Sequence, residues 1–282
     1  MHTRIQFLLL TVLILTGCMS PQETEKPNPE AVAVAVALTL TAQPTVTHFI
    51  TDTPISPTAS DTPELTNTPI SPTGTATPTL TSTPFASDPA VQLGSPTFMD
   101  NLDTGKGFGL TSGSYKDDYS SWQISNGVLT VKSLMNNGWH SWRLRPPKIK
   151  NFYVQTILTP QSCSGADEFG LLFRAPDYES GLGYYLGITC EGQFRLNRQD
   201  SDKVESIIPL TSTSLLSVGT GQSNRLGVWV QNSNIQVYAN GKPVQAISDS
   251  GISDAGFYGL FVAGYSGKLA VNVDEIAYWT LP

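Results

Sequence analysis

Three acidic pairs, Asp117-Asp118, Asp167-Glu168 and Asp274-Glu275, are the residues in this chain whose type first suggests acid–base chemistry. Two carboxylates cleave a glycosidic bond when they face each other across it, about 5 to 9.5 Å apart. Neighbours in sequence cannot do this on one strand, because successive side chains point to opposite faces. An acid and a base drawn from separate strands remain open. His140 is the one histidine beyond residue 98, so multi-histidine zinc sites and Ser-His-Asp triads lack parts. The GYSG at 264 to 267 is not a Gly-x-Ser-x-Gly elbow and has no helix after it, so it reads as a turn.

Recognition chemistry is better represented. Trp229, Gln231, Gln236 and Tyr238 sit opposite the apolar positions of their segments, as Arg174, Tyr185 and Arg195 do in theirs. Trp139, Ser141, Arg143 and Arg145 share one parity of another segment. A sugar offers an apolar ring face and a rim of hydroxyls, which aromatic platforms beside Arg, Gln and Asn suit. The candidate ligand-binding residues are therefore Arg174, Tyr185, Arg195, Trp229, Tyr238, Trp139 and Arg143. The alternative is that these rings fill or cover the fold and that the arginines are solvated strand positions.

The elements that must position them are strands. Phe169 to Arg198 reads as three consecutive antiparallel strands: Phe169, Leu171 and Phe173 share one face, as do Tyr184, Leu186 and Ile188, then Phe194 and Leu196. A three-residue loop, Cys190-Glu191-Gly192, sets Ile188 opposite Phe194 and Leu186 opposite Leu196, with Gly192 at the position needing positive φ. The second face then carries Leu172, Arg174, Tyr185, Thr189, Gln193, Arg195 and Asn197. Asn126-Gly127 and Asn240-Gly241 lie between alternating runs and mark two hairpins. Further strands are expected at 98–102, 139–145, 151–158, 225–231, 256–264 and 268–280, with no sustained helical period. About a dozen short strands predict a two-sheet antiparallel jelly-roll sandwich in one domain, 97–282.

The N-terminal third differs. Arg4, the apolar run Ile5 to Leu15 and Thr16-Gly17-Cys18 have the layout of a signal peptide over 1–17, too short for a span of about 20 residues. Leu15-Thr16-Gly17-Cys18 resembles the lipobox of bacterial lipoproteins, which implies lipidation of Cys18 and anchoring outside the cytoplasm at the cell surface. An ordinary cleaved signal is the alternative. Residues 18–96 are rich in Thr, Pro, Ser and Ala, and TDTPISPT at 51 to 58 recurs as TNTPISPT at 66 to 73. Such a tract has too little apolar surface to order itself and is expected as a disordered stalk, reaching roughly 50 to 240 Å. Ala31 to Thr41, AVAVAVALTLT, interrupts it without an assigned role.

Charge and cysteines bound the partners. The formal charge is −7 in total. Fourteen Lys and Arg stand against sixteen Asp and Glu from Met99 onward, with no basic stripe. That balance disfavours nucleic acid and anionic lipid, leaving the lipid anchor as the membrane contact. With Cys18 assigned to the anchor, Cys163 and Cys190 remain for a disulfide, the alternative being two buried thiols.

The order of FMDNLD at 98–103, WQISNGVL at 122–129, NFYVQTIL at 151–158, GLLFRAPDYESGLGYYLGITCEGQFRL at 170–196, NRLGVWVQNSNIQVYANGKPV at 224–244 and AVNVDEIAYW at 270–279 resembles the concanavalin A-like lectin/glucanase superfamily. That superfamily includes laminin G-like and 3-keto-disaccharide hydrolase-type domains. The resemblance implies a concanavalin A-like fold but does not choose among lectins, adhesion modules and glycosidases. Its retaining glucanases carry a Glu-x-Asp-x-(x-)Glu run, which this chain lacks. Its laminin G-like members often hold calcium; Asp100, Asp103 and Asp274 are the weak metal candidates here, with no diagnostic spacing. No other cofactor is implied. The expected function is binding of carbohydrate or another cell-envelope ligand without catalysis. A glycan-active hydrolase and a structural adhesion module are the alternatives.

Overall fold

The structure, a computed structural model, describes residues 87–201 and 203–282. The expected signal peptide, Cys18, the Ala31–Thr41 segment and the expected stalk as far as residue 86 lie outside the described residues. Among the described residues, fifteen strands, numbered β1 to β15 in chain order, form two sheets. The first runs β13 (Lys242–Ser248), β12 (Asn234–Ala239), β11 (Asn224–Gln231), β6 (Phe152–Ser162), β15 (Ala270–Thr280), β4 (Val128–Ser133), β3 (Ser120–Ser125) and β2 (Ser114–Lys116). β1 (Phe98–Asp100) also pairs with β15. The second runs β10 (Lys203–Ser212), β9 (Gln193–Asp200), β8 (Gly183–Thr189), β7 (Glu168–Ala175), β14 (Gly256–Ala263) and β5 (His140–Ile149). All pairings are antiparallel, and the sandwich expected from the alternating segments is the observed architecture. No described helix is long and apolar enough to cross a membrane.

The core lies between the sheets. Phe169, Leu171, Phe173, Leu186, Ile188, Phe194 and Leu196 from the second sheet meet Phe152, Val154, Val228, Val230, Val271 and Ile276 from the first. The central register is the expected one: Ile188 pairs with Phe194 and Leu186 with Leu196. Gly192 takes φ +75°, and a Cβ there would come 2.8 Å from Val218 Cγ2, so both backbone and space require glycine. Both Asn-Gly turns have positive φ at each residue, 54° and 73° at Asn126-Gly127, 51° and 78° at Asn240-Gly241. Those values match the twist of the strands they join.

Besides the 3₁₀ turn Lys106–Phe108, three elements were not anticipated. β2 has three residues, too few to show a period, and β10 is an exposed edge strand whose Pro209 is tolerated there because an edge amide needs no partner. The third is α1 (Pro89–Leu93), a short helix whose N-cap Asp88 accepts from the Ala90 amide (3.1 Å). Ala90 and Leu93 pack on the outer face of the first sheet, Asp88 ion-pairs with Arg225, and Trp279 Nε1 donates to Gly94 O at 2.8 Å. The folded domain therefore begins no later than Ser87 rather than at 97.

Candidate functional site

A cleft of about 630 Å³ opens where the edge of the second sheet, β5, faces the opposite edge of the first, β2 and β3. A 3₁₀ turn, Lys106–Phe108, forms part of its wall. The volume falls in the range of small-molecule sites, about 300 to 1,000 Å³. Register decides which side chains enter. Leu260 and Val262 of β14 belong to the core, and they pair with Arg143 and Ser141. The odd-numbered residues of β5 therefore face between the sheets and the even-numbered ones face outward. Because β5 is an edge strand, both parities reach the cleft: Ser141 and Arg143 from the inner face, and His140, Trp142 and Leu144 from the outer one.

Aromatic surface dominates the rim. Trp139, 49% exposed, stacks on Tyr119, 44% exposed, with centroids 5.4 Å apart and planes at 27°. Tyr115 is exposed, and the Arg143 guanidinium lies 3.6 Å from its ring centroid. Arg143 Nη1 donates to Phe108 O at 3.1 Å. Trp142 Nε1 donates to Tyr178 O at 3.0 Å, and the Tyr178 ring stacks on Phe257 at 4.2 Å.

The lining contains one carboxylate, Asp117. It accepts from the Tyr119 amide (2.9 Å), the Ser120 amide (2.7 Å), the Ser120 hydroxyl (3.3 Å) and the Tyr115 hydroxyl (3.1 Å). Burial pushes its carboxyl up, but these donors outweigh burial and hold it below the usual carboxylate range. A carboxylate so held is a structural anion and a poor proton donor near neutral pH. His140 is pushed down to about 4 by burial and then by the Arg195 charge, so it is neutral at pH 7.

Of the expected ligand-binding residues, Trp139 and Arg143 line this cleft; the other five do not. Trp229 and Tyr238 are buried on the outer face of the first sheet with Tyr153 and Trp279, beneath α1. Tyr185 is buried on the outer face of the second sheet, where its hydroxyl donates to Gly181 O (2.6 Å) and His140 stacks on it. Arg195 ion-pairs with buried Glu168, whose carboxyl is raised by burial despite that cation.

Arg174 departs most from expectation. It sits at a bulge with φ +54°, and its backbone lies close against Gly256, whose missing Cβ leaves room for it. Its guanidinium donates to Ile252 O (2.7 Å), Lys150 O (3.2 Å) and Asn232 O (2.6 Å). The bulge turns a residue expected on the outer face into a clamp on three turns.

The acidic pairs lie off regular strand: Asp117-Asp118 is in the β2–β3 connection, Asp167 precedes β7, and Asp274 falls at a bulge. Asp167 accepts from the amides of Ser164, Tyr265 and Ser266, which fixes the GYSG turn, while Glu168 takes the outer face. Asp274 is the exposed extra residue of a bulge in β15, and Glu275 accepts from Gln155 Nε2 (3.1 Å). Asp100 ion-pairs with Arg145 at 2.7 Å. Asp100, Asp103 and Asp274 are not brought together, and no group of three or more His, Cys, Asp or Glu that could hold a metal occurs among the described residues. Cys163 and Cys190 are joined, with Cα atoms 6.1 Å apart.

Sequence reasoning missed Tyr115, Asp117, Tyr119, Trp142 and Tyr178 as cleft residues. Tyr119 and Tyr178 lie in connections, where periodicity gives no signal, and Tyr115 lies in the three-residue β2.

No family model matches the chain, and no curated protein matches it. Among solved structures, the carbohydrate-binding module CBM66 from Bacillus subtilis is 17% identical over 58% of this chain and 94% of its own, with a TM-score of 0.47. A protein of unknown function with a galectin-like fold, also from Bacillus subtilis, is 14% identical over 66% of this chain and 96% of its own (TM-score 0.47). A xylan beta-1,4-xylosidase from Bacillus halodurans C-125 is 17% identical over 72% of this chain but 41% of its own (TM-score 0.48). Each is a likeness to this chain, at a similarity that assigns it no function.

Proposed function

We propose that this protein is a surface-displayed lipoprotein, held to the bacterial membrane through Cys18 and a Thr/Pro-rich tract, whose sandwich binds carbohydrate in the β2–β3/β5 cleft without catalysis. The observation that carries the binding reading is the composition of the cleft. Exposed, stacked Tyr119 and Trp139 offer a platform for a sugar ring, and Arg143 and Lys106 offer polar partners beside it. The lining has one carboxylate, tied by four hydrogen bonds, where hydrolysis by acid and base asks for two.

A glycan array probed with the full chain tests the binding reading, followed by titration of any hit against Trp139→Ala. The expected result is a hit whose affinity falls by about tenfold or more in the variant, roughly 1.4 kcal/mol of lost stacking. A hit untouched by Trp139→Ala would move the site elsewhere, and turnover of the bound glycan would replace recognition with hydrolysis. The anchor is tested separately by labelled fatty acid on Cys18 and globomycin-sensitive processing; release of unlabelled protein would remove it.

A further inference from the structure

Given that the cleft binds carbohydrate, the reading on which this inference rests, its charge pattern narrows the ligand. Six arginines occur among the described residues. Four hold carboxylates: Arg145 with Asp100, Arg195 with Glu168, Arg198 with Asp249 and Glu205, Arg225 with Asp88. Arg174 is satisfied by three carbonyls.

Arg143 differs. It is half-buried in the cleft lining, forms no ion pair among the described residues, donates Nη1 to one carbonyl and rests on the Tyr115 ring; a buried, unpartnered Nε it shares with Arg145, Arg174, Arg195 and Arg198. Desolvating a guanidinium without an anion beside it is unfavourable, and its fork of N–H donors matches a carboxylate in two-point contact. Asp117 does not fill that role: it attracts Arg143 at longer range, while its own oxygens are occupied by four other donors.

The surroundings agree in sign. Lys106 lines the same cleft and is exposed, Asp117 is the one acid of the lining, and His140 adds no charge at neutral pH. The lining thus holds two cations and one anion, in a domain where acids outnumber bases. An anionic ligand would meet a positive pocket within a negative protein, which favours capture of that ligand over its neutral counterpart.

We propose that the cleft takes an acidic sugar, one bearing a ring carboxylate, with the carboxylate on Arg143, Lys106 adding charge at the mouth, and the ring face against Tyr119 and Trp139. Matched probes test it on the full chain by titration calorimetry: trigalacturonate against its methyl ester, 3′-sialyllactose against lactose, and a hyaluronan tetrasaccharide against its carboxyl-reduced form. The expected result is at least one pair in which the acid binds about tenfold or more tightly than its neutral match, with the preference shrinking as salt is raised and vanishing in Arg143→Gln. If Arg143→Gln does not fold, Lys106→Gln, at an exposed position, is expected to lower affinity for the acidic probes alone. Neutral members binding as tightly as acidic ones, with loss on Trp139→Ala, would overturn the charge assignment and leave the sugar reading standing. An acid preference that survives Arg143→Gln would overturn the role of Arg143. Binding by no acidic or neutral glycan at all would overturn both.

Discussion

The Trp139 indole and the Tyr119 ring stack 5.4 Å apart although they belong to opposite sheets, Tyr119 entering β3 and Trp139 entering β5. The rim of the cleft is therefore also a contact that spans the sandwich at its open end, and the platform exists only while the two edges keep their spacing.

This makes the two rings one unit. Tyr119→Ala and Trp139→Ala should show a coupling energy of about 0.5 to 1.5 kcal/mol in a double-mutant cycle read by urea unfolding. In the binding titration the double variant should be little worse than either single one. Strictly additive losses in both assays would mean that the rings act separately.

Asp88 gives a second prediction. Its carboxylate both caps α1 and pairs with Arg225, and the helix it starts covers Tyr153, Trp229, Tyr238 and Trp279. Losing a cap costs about 0.5 to 2 kcal/mol, and a partly exposed ion pair adds about 0 to 1. Asp88→Ala should therefore lower the unfolding free energy by roughly 1 to 2 kcal/mol. A chain beginning at residue 97 should lose more than that and expose indole to aqueous quencher, since the aromatic face is then bare. Equal urea midpoints for chains beginning at 87 and 97 would show that α1 contributes nothing.

The contrast between what alternation revealed and what it hid has a physical basis. Pairing of Leu186 with Leu196 was legible because a one-residue slip would place apolar side chains opposite Arg195, and because Gly192 fits a left-handed position. Shared parity was also read correctly, but parity does not say what lies above a face. Trp229 and Tyr238 point away from the core as expected, yet α1, built from a segment with no long period, closes over them. Arg174 broke the parity rule through a bulge that depends on Gly256 in a strand far away in sequence. The cleft itself is assembled from Tyr119 and Tyr178 in connections and from Trp139 and Arg143 around β5, so its existence is a property of how two sheet edges meet. That meeting has no local signature.

The disulfide supplies a third prediction. Cys163 follows β6 and Cys190 follows β8, and the bond closes a separation of 27 residues. Constraining an unfolded loop of that size is worth about 3 to 4 kcal/mol on the chain-entropy model. Cys163→Ser with Cys190→Ser should destabilise the domain by that order under non-reducing conditions and match the wild type under reductant. Unchanged stability without reductant would indicate that the bond does not form in the isolated protein.

The last prediction concerns acid. His140 lies face to face with Tyr185, 4.6 Å between centroids, meets the edge of Phe261 at 5.3 Å, and has the Arg195 cation nearby. Burial first, and then that cation, hold its pKa at about 4, against about 6.5 in an unfolded chain. Between those values the unfolded chain binds more protons, so this contribution is fully present above about pH 6.5 and is lost as pH falls to about 4. The full loss is roughly 3 kcal/mol. Glu168 works in the opposite direction, because burial raises its carboxyl and the folded chain takes up that proton first. The two effects separate by comparing the wild type with His140→Phe, which keeps a ring on Tyr185 and removes the titrating nitrogen. The wild type should lose stability relative to the variant as pH falls from about 6.5 to about 4, and the gap should then stay level. Parallel stability curves across that interval would show that His140 is protonated in the fold at no greater cost than in water.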